Sequence, residues 1–311
     1  MGASPLPLGG GTGDRGMAVV LGVEGPLGRV LVDTLLSQSR EVRAVYLDRK
    51  AARGSIPGAQ TVLINPSEAF YVTEACRGAT VVYDCYEPNY SEWKQSWPKI
   101  TSNVVLAAIE VGAALVFASH LLNSESENER QEADVLRAHN SKLIRTVVVR
   151  IPQLTGVRVI NPLWKLIYDA VLAGKKAHWV GDAEVPRSLL DVEDAVRAMQ
   201  QLAENPQLCG RTWNVASPSL TTGRQFVEFA FQAVGLKPNV GHWGRGIVMT
   251  GGLLGSDAKD VLKMPYDYYS TFELNGKDFA EALPSFYFTP PEKSVSNGIR
   301  WYRDQGTGRD Q

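Results

Sequence analysis

The stretch Ala18-Val19-Val20-Leu21-Gly22-Val23-Glu24-Gly25-Pro26-Leu27-Gly28 decides how this chain is read. Four apolar residues run into three glycines at three-residue spacing, the pattern of a buried strand that turns sharply and restarts as a helix. Gly22 permits the turn out of the strand. Gly25 lets the backbone approach a pyrophosphate with no Cβ in the way, and Gly28 lets the helix pack close to the sheet. Pro26 suits the first helical turn, where a missing N–H costs little, and Leu27 continues it. The positive end of that helix then faces phosphate oxygens. Asp48, twenty residues past Gly28, closes a second apolar run at 42–47. A carboxylate there accepts the ribose hydroxyls of NAD and repels the 2′-phosphate of NADP, whereas Arg49 and Lys50 would pair with that phosphate. The expected site is therefore Gly22, Gly25, Pro26, Leu27, Gly28, Asp48 and Arg49, holding NAD(P) with NAD favoured.

Working outward, apolar runs at 17–21, 42–47, 61–64, 79–83, 114–118 and 146–150 predict strands, with helical stretches at 29–37, 66–77, 100–111 and 129–139 between them. An aromatic loop is expected at 90–97. Strands alternating with helices predict an α/β fold with a doubly wound parallel sheet, the Rossmann arrangement. Beyond Pro152 the rhythm breaks. Helices are expected at 162–173, 192–204 and 223–234 and a strand at 211–215, among irregular pieces that include a glycine-rich run at 241–255. The expected organisation is a flexible tail at 1–16, a dinucleotide-binding core at 17–160, and a smaller C-terminal substrate lobe at 161–311 with segments returning to the core.

Bulk properties exclude several classes. A formal net charge of −1 over 311 residues gives no electrostatic footprint for nucleic acid or an anionic membrane. No apolar run approaches the roughly 20 residues that span a bilayer. The tail lacks the basic-then-apolar layout of a signal peptide. Cys76, Cys85 and Cys209 fit neither a disulfide framework nor zinc or CxxC spacing, so a reduced cytoplasmic setting is the default. The four histidines are far apart in sequence, and no metal site is expected. The expected partner is a small-molecule substrate, with no nucleic acid and no membrane.

Further landmarks follow in order: Asn103-Val104, Val116-Phe117-Ala118-Ser119-His120, Arg150-Ile151-Pro152 with Thr155-Gly156, and Gly181-Asp182 with Arg187 and Asp191-Val192-Glu193-Asp194. Trp213-Asn214-Val215 and Gly298-Ile299-Arg300-Trp301-Tyr302 come last. With the glycine turn, these resemble the extended or atypical short-chain dehydrogenase/reductase family, of the NAD-dependent epimerase/dehydratase type, from about residue 18 to 303. The resemblance implies an NAD(P)-dependent oxidoreductase or epimerase. It also implies a possible homodimer, formed through helices of which one corresponds to 100–111.

The family uses a Tyr-x-x-x-Lys pair as proton relay, with a Ser or Thr after the fifth strand holding the reacting oxygen. Here one register puts Ser126 and Arg130 in the Tyr and Lys places, and another puts Asn128 and Glu132 there. Neither supplies a phenol, so the usual relay is absent. His120 is a candidate acid–base group near neutral pH, or else a strand cap. Ser119 is a substrate-orienting hydroxyl or a turn residue. Asp84 and Tyr86, at the fourth-strand exit, either reach toward the substrate or pack locally against the aromatic loop. Arg187 binds an anionic substrate group or pairs with Asp191, Glu193 or Asp194. Trp164 and Tyr168 line a pocket for a flat or hydrophobic substrate, or form core. Three functions stay open: redox chemistry with a replaced relay, non-redox isomerisation, cyclisation or elimination, and dinucleotide sensing without catalysis.

Overall fold

The computed structural model describes residues 16–48, 54–87, 93–121, 128–244 and 267–307. In chain order its elements are β1 (Ala18–Leu21), α1 (Pro26–Ser37), β2 (Val42–Tyr46), β3 (Gln60–Leu63), α2 (Ala69–Cys76) and β4 (Val81–Asp84). Next come α3 (Trp93–Val111), β5 (Ala114–His120), α4 (Glu129–Asn140), β6 (Thr146–Ile151), β7 (Gln153–Thr155), α5 (Pro162–Leu172) and β8 (Ala177–Val180). The remainder is β9 (Pro186–Asp191), α6 (Val192–Glu204), β10 (Thr212–Asn214), β11 (Leu220–Thr222), α7 (Gly223–Ala233), β12 (Val240–Trp243), α8 (Lys277–Ala282) and α9 (Pro291–Thr307).

The chain divides into two compact units, the first made of 1–120, 128–150 and 196–213 and the second of 121–127, 151–195 and 214–311. The boundary falls at Arg150, ahead of the residue 160 expected from sequence. The first unit carries a seven-stranded parallel sheet in the order β10-β6-β5-β4-β1-β2-β3. β1 is fully buried along its length, which explains its unbroken apolar sequence: a central strand covered on both faces has no polar side to show. β3, at one edge, has partly exposed and exposed residues instead. The parallel registers Leu21↔Asp84 and Asp84↔Phe117 bring the carboxyl ends of β1, β4 and β5 to one edge of the sheet. This is where a doubly wound sheet binds ligands.

Two elements differ from the sequence expectation near that edge. β5 runs on to His120, so Ser119 and His120 are strand residues rather than a turn. α3 starts at Trp93 and passes through Pro98, so most of the expected aromatic loop is helix. Proline marks a break when read from sequence alone. Here burial of Trp97 and Ile100, with Trp97 6.2 Å from Phe117 between ring centroids, holds the helix across it.

The second unit has a three-stranded sheet, β11-β9-β7, and a two-stranded sheet, β12-β8. Most of these strands span three or four residues, too few for alternation to show in sequence. Its core is aromatic. Trp164 stacks on Phe226 with centroids 4.0 Å apart, and Trp179 meets Tyr268 edge-on at 5.4 Å. Most of the glycine-rich run at 241–255 lies outside the described residues.

Candidate dinucleotide and acid–base site

Gly22 adopts a left-handed φ of +81°, and a Cβ on it would lie 2.6 Å from Tyr86 Cα. The turn therefore packs directly on the backbone leaving β4. A Cβ on Gly28 would lie 2.4 Å from the Gly22 carbonyl oxygen, so close helix-to-turn packing excludes any side chain there. Gly25 differs: a Cβ would meet only the Gly22 oxygen, at 3.6 Å. Among the described residues none fills the space beside Gly25, and a group that must approach the backbone fits it. Gly25 is also the N-cap of α1, with no side-chain cap and Pro26 behind it. The first N–H groups of a helix have no intrahelical acceptors, so this uncapped end suits phosphate oxygens. Leu27 is buried beneath it as part of the packing. The residues present fit a dinucleotide pyrophosphate.

Gly22 N–H and Val23 N–H both donate to the Val45 carbonyl, at 3.0 and 3.4 Å, which fastens the turn to β2. The next residue, Glu24, accepts from Leu47 N–H at 3.3 Å and 3.4 Å through its two oxygens. Burial pushes its carboxyl up to about 7, and the neighbouring charge of Asp48 adds to the shift. Sequence reasoning passed over Glu24 because it fills a variable place between two glycines. Asp48 lies half-buried just beyond β2, and Arg49 is outside the described residues.

At the exits of β4 and β5 the groups are charged or polar, and buried. Asp84 is 1% exposed; Tyr86 N–H donates to its Oδ1 at 3.2 Å, while desolvation pushes its carboxyl up to about 7. Burial also pushes the Cys85 thiol far up, away from nucleophilic use. Tyr86 packs against the cluster that contains Trp97 and Phe117. His120 is 6% exposed, and its Nε2 has no hydrogen-bond partner among the described residues. Its Nδ1 lies 3.7 Å from Glu87 Oε2, within ion-pairing range when the ring is protonated.

Ser119 is fully buried. Its Oγ donates to Glu132 Oε1 at 2.6 Å and accepts from Asn128 Nδ2 at 3.1 Å. Asn128 Nδ2 also donates to the His120 carbonyl at 2.7 Å. Arg150 clasps the same carboxylate, with Nε 3.0 Å from each oxygen and Nη2 2.8 Å from Oε2. Asn128 and Glu132 are the four-apart pair of the second register considered above. Ser119, Asn128, Glu132 and Arg150 thus form a buried hydrogen-bonded ionic network at the end of β5.

The three substrate-lobe candidates belong to the second unit and are buried there. Trp164 and Tyr168 are 0% exposed and pack with Phe226 in the aromatic core rather than on a pocket wall. Arg187 is 1% exposed. Its guanidinium donates to the carbonyls of Asp267 and Ser270 and lies over the rings of Tyr268 and Phe272, which ties the segment after residue 266 to β9. Residue type alone does not separate a core aromatic from a pocket aromatic. No helix among the described residues is long and apolar enough to cross a membrane, and no cluster of three or more His, Cys, Asp or Glu among them is placed to hold a metal.

No family model matches the sequence, and no curated protein matches it. Solved structures do. WbmH of Bordetella bronchiseptica, in complex with NAD+, is similar at 16% identity over 94% of this chain and 99% of that one, with a TM-score of 0.69. UDP-glucose 4-epimerase of Thermotoga maritima, with UDP-glucose, is similar at 14% identity over 93% and 99%, with a TM-score of 0.69. DesIV, a dTDP-glucose 4,6-dehydratase of Streptomyces venezuelae with NAD bound, is similar at 14% identity over 94% and 98%, with a TM-score of 0.71. At such identities the likeness establishes the fold. It is the Rossmann-like α/β architecture that the sequence landmarks implied.

Proposed function

We propose that this chain is an NAD(P)-dependent oxidoreductase or epimerase of the short-chain dehydrogenase/reductase type, with His120 in place of the usual phenol. The observation that carries this reading is the buried Nε2 of His120, at the ligand-binding edge of the sheet, which has no hydrogen-bond partner among the described residues. An unmet buried polar atom costs about 1–3 kcal/mol, and a substrate oxygen within reach of Nε2 would offset that cost. The fold supports dinucleotide binding, because solved structures of similar fold carry NAD or NAD+ and no described residue fills the space at Gly25.

Bound NAD(P) would supply hydride exchange at its nicotinamide. The chain supplies the rest. His120 Nε2 takes the proton of a substrate hydroxyl or returns it to a carbonyl. Glu87 offsets the imidazolium charge at Nδ1, and Asn128 fixes the end of β5 through the His120 carbonyl. Ser119, Glu132 and Arg150 hold that end rigid rather than relay protons. The substrate is a small molecule with a hydroxyl or carbonyl group. Trp164 and Tyr168, buried in the aromatic core, contribute nothing to an argument for an aromatic substrate.

The test begins with calorimetric titration of NAD+, NADH, NADP+ and NADPH. At least one is expected to bind, and failure of all four overturns the reading. With a substrate that changes nicotinamide absorbance, His120→Gln is expected to lower kcat/KM by about a hundredfold or more and leave dinucleotide affinity within about threefold. Unchanged turnover removes His120 from its role. The Glu132–Arg150 network favours a second reading, a dinucleotide sensor without catalysis. In that case binding persists while no hydroxyl or carbonyl substrate alters the absorbance.

A further inference from the structure

We propose that Glu24 is a second carboxylate meeting the adenosine ribose, and that with Asp48 it excludes a 2′-phosphate. The proposal rests on the dinucleotide reading above and adds a specificity-determining residue to it.

The geometry comes from three contacts. The Val45 carbonyl draws Gly22 and Val23 onto β2, Glu24 follows at once, and its carboxylate reaches Leu47 N–H at 3.3 Å. Leu47 directly precedes Asp48, so two carboxylates from different elements meet at one strand end. A dinucleotide with its pyrophosphate at Gly25 lays its adenosine ribose over the end of β2. Ribose hydroxyls donate to carboxylates, whereas a 2′-phosphate brings about two negative charges against them. Among the described residues the charged group facing Glu24 from the end of β2 is Asp48; Arg49 and Lys50, which follow it, lie outside them. On α1 the first cation, Arg29, is paired with Asp33 at 3.1 Å.

Burial holds the Glu24 carboxyl up to about 7, so its charge is lost on mild acidification. Preference for NADH over NADPH is then expected to grow as pH rises through neutrality. The experiment is calorimetry on the full chain with NADH and NADPH, at about pH 6 and about pH 8. In the wild type the ratio of the two dissociation constants is expected to rise about tenfold across that interval. Glu24→Gln is expected to lower the ratio about tenfold at the upper pH and to shrink its rise to the part that the second ionisation of the 2′-phosphate, at about pH 6, supplies, while Asp48→Asn lowers the ratio and leaves the Glu24 part of the rise in place.

A Glu24→Gln protein with the wild-type ratio and pH profile overturns the proposal and leaves the dinucleotide reading intact. A wild-type ratio that stays flat with pH overturns it with no variant needed, which covers failure of Glu24→Gln to fold. Absence of binding by both dinucleotides overturns the underlying reading, and this proposal with it.

Discussion

Asp84 and Glu24 are carboxyl groups whose proton is held more tightly in the folded chain than in the unfolded one. Desolvation moves Asp84 from 3.8 to about 7, with a hydrogen bond from Tyr86 N–H opposing it. Because the folded value is the higher, the associated stability is fully present below about pH 4 and is lost as pH rises through 7. Asp84→Asn keeps an acceptor for Tyr86 N–H and removes the titration. The variant is expected to match the wild type in thermal unfolding near pH 4 and to exceed it by several degrees near pH 8. A difference between the two proteins that stays constant with pH would count against this assignment. Glu24 titrates in the same window in both proteins, so the comparison isolates Asp84.

At the scale of elements, the strand–turn–helix of β1 and α1 separates two demands that one glycine motif places on sequence. Gly28 has no room for a Cβ, whose nearest neighbour would be backbone. Gly28→Ala is therefore expected to destabilise the chain by about 2 kcal/mol or more, read by urea unfolding. Gly25 has room and an ordinary φ of −81°. Gly25→Ala is expected to leave stability within about 1 kcal/mol and to weaken dinucleotide binding about tenfold or more, read by calorimetry. Equal effects of both substitutions on folding would show that the space at Gly25 is structural.

This element was legible in sequence because a central strand is continuously apolar and the glycines mark the turn. His120 was legible by its place at the end of a strand. The Ser119–Asn128–Glu132–Arg150 network was not, because the helix register was ambiguous and its members come from separate segments. Glu87 and Glu24 were missed for a similar reason. Each matters through a neighbour distant in sequence, and neither belongs to a spaced motif. Most strands of the second unit were too short to carry a periodic signal.

At the scale of the whole molecule, the two units rely on different cores. The first is aliphatic and sheet-centred; the second packs Trp164, Tyr168, Trp179 and Phe226 together. Trp164 also donates its indole N–H to the Leu154 carbonyl at 3.0 Å. Trp164→Ala is expected to cost about 3–5 kcal/mol, with hydrogen exchange rising first in α5, β8 and α7. Protection lost evenly over β1, β4 and β5 as well would indicate a single cooperative core.

The seven-stranded sheet ends in β10, a strand that the chain reaches only after passing through residues 151–195 of the second unit. During synthesis, β6 therefore leaves the ribosome with one edge bare, and it stays so until residues 212–214 follow. An unpaired strand edge invites pairing with other chains. An added window for self-association is therefore expected between translation of Ile151 and of Thr212. The growing chain cannot shorten that interval by folding faster.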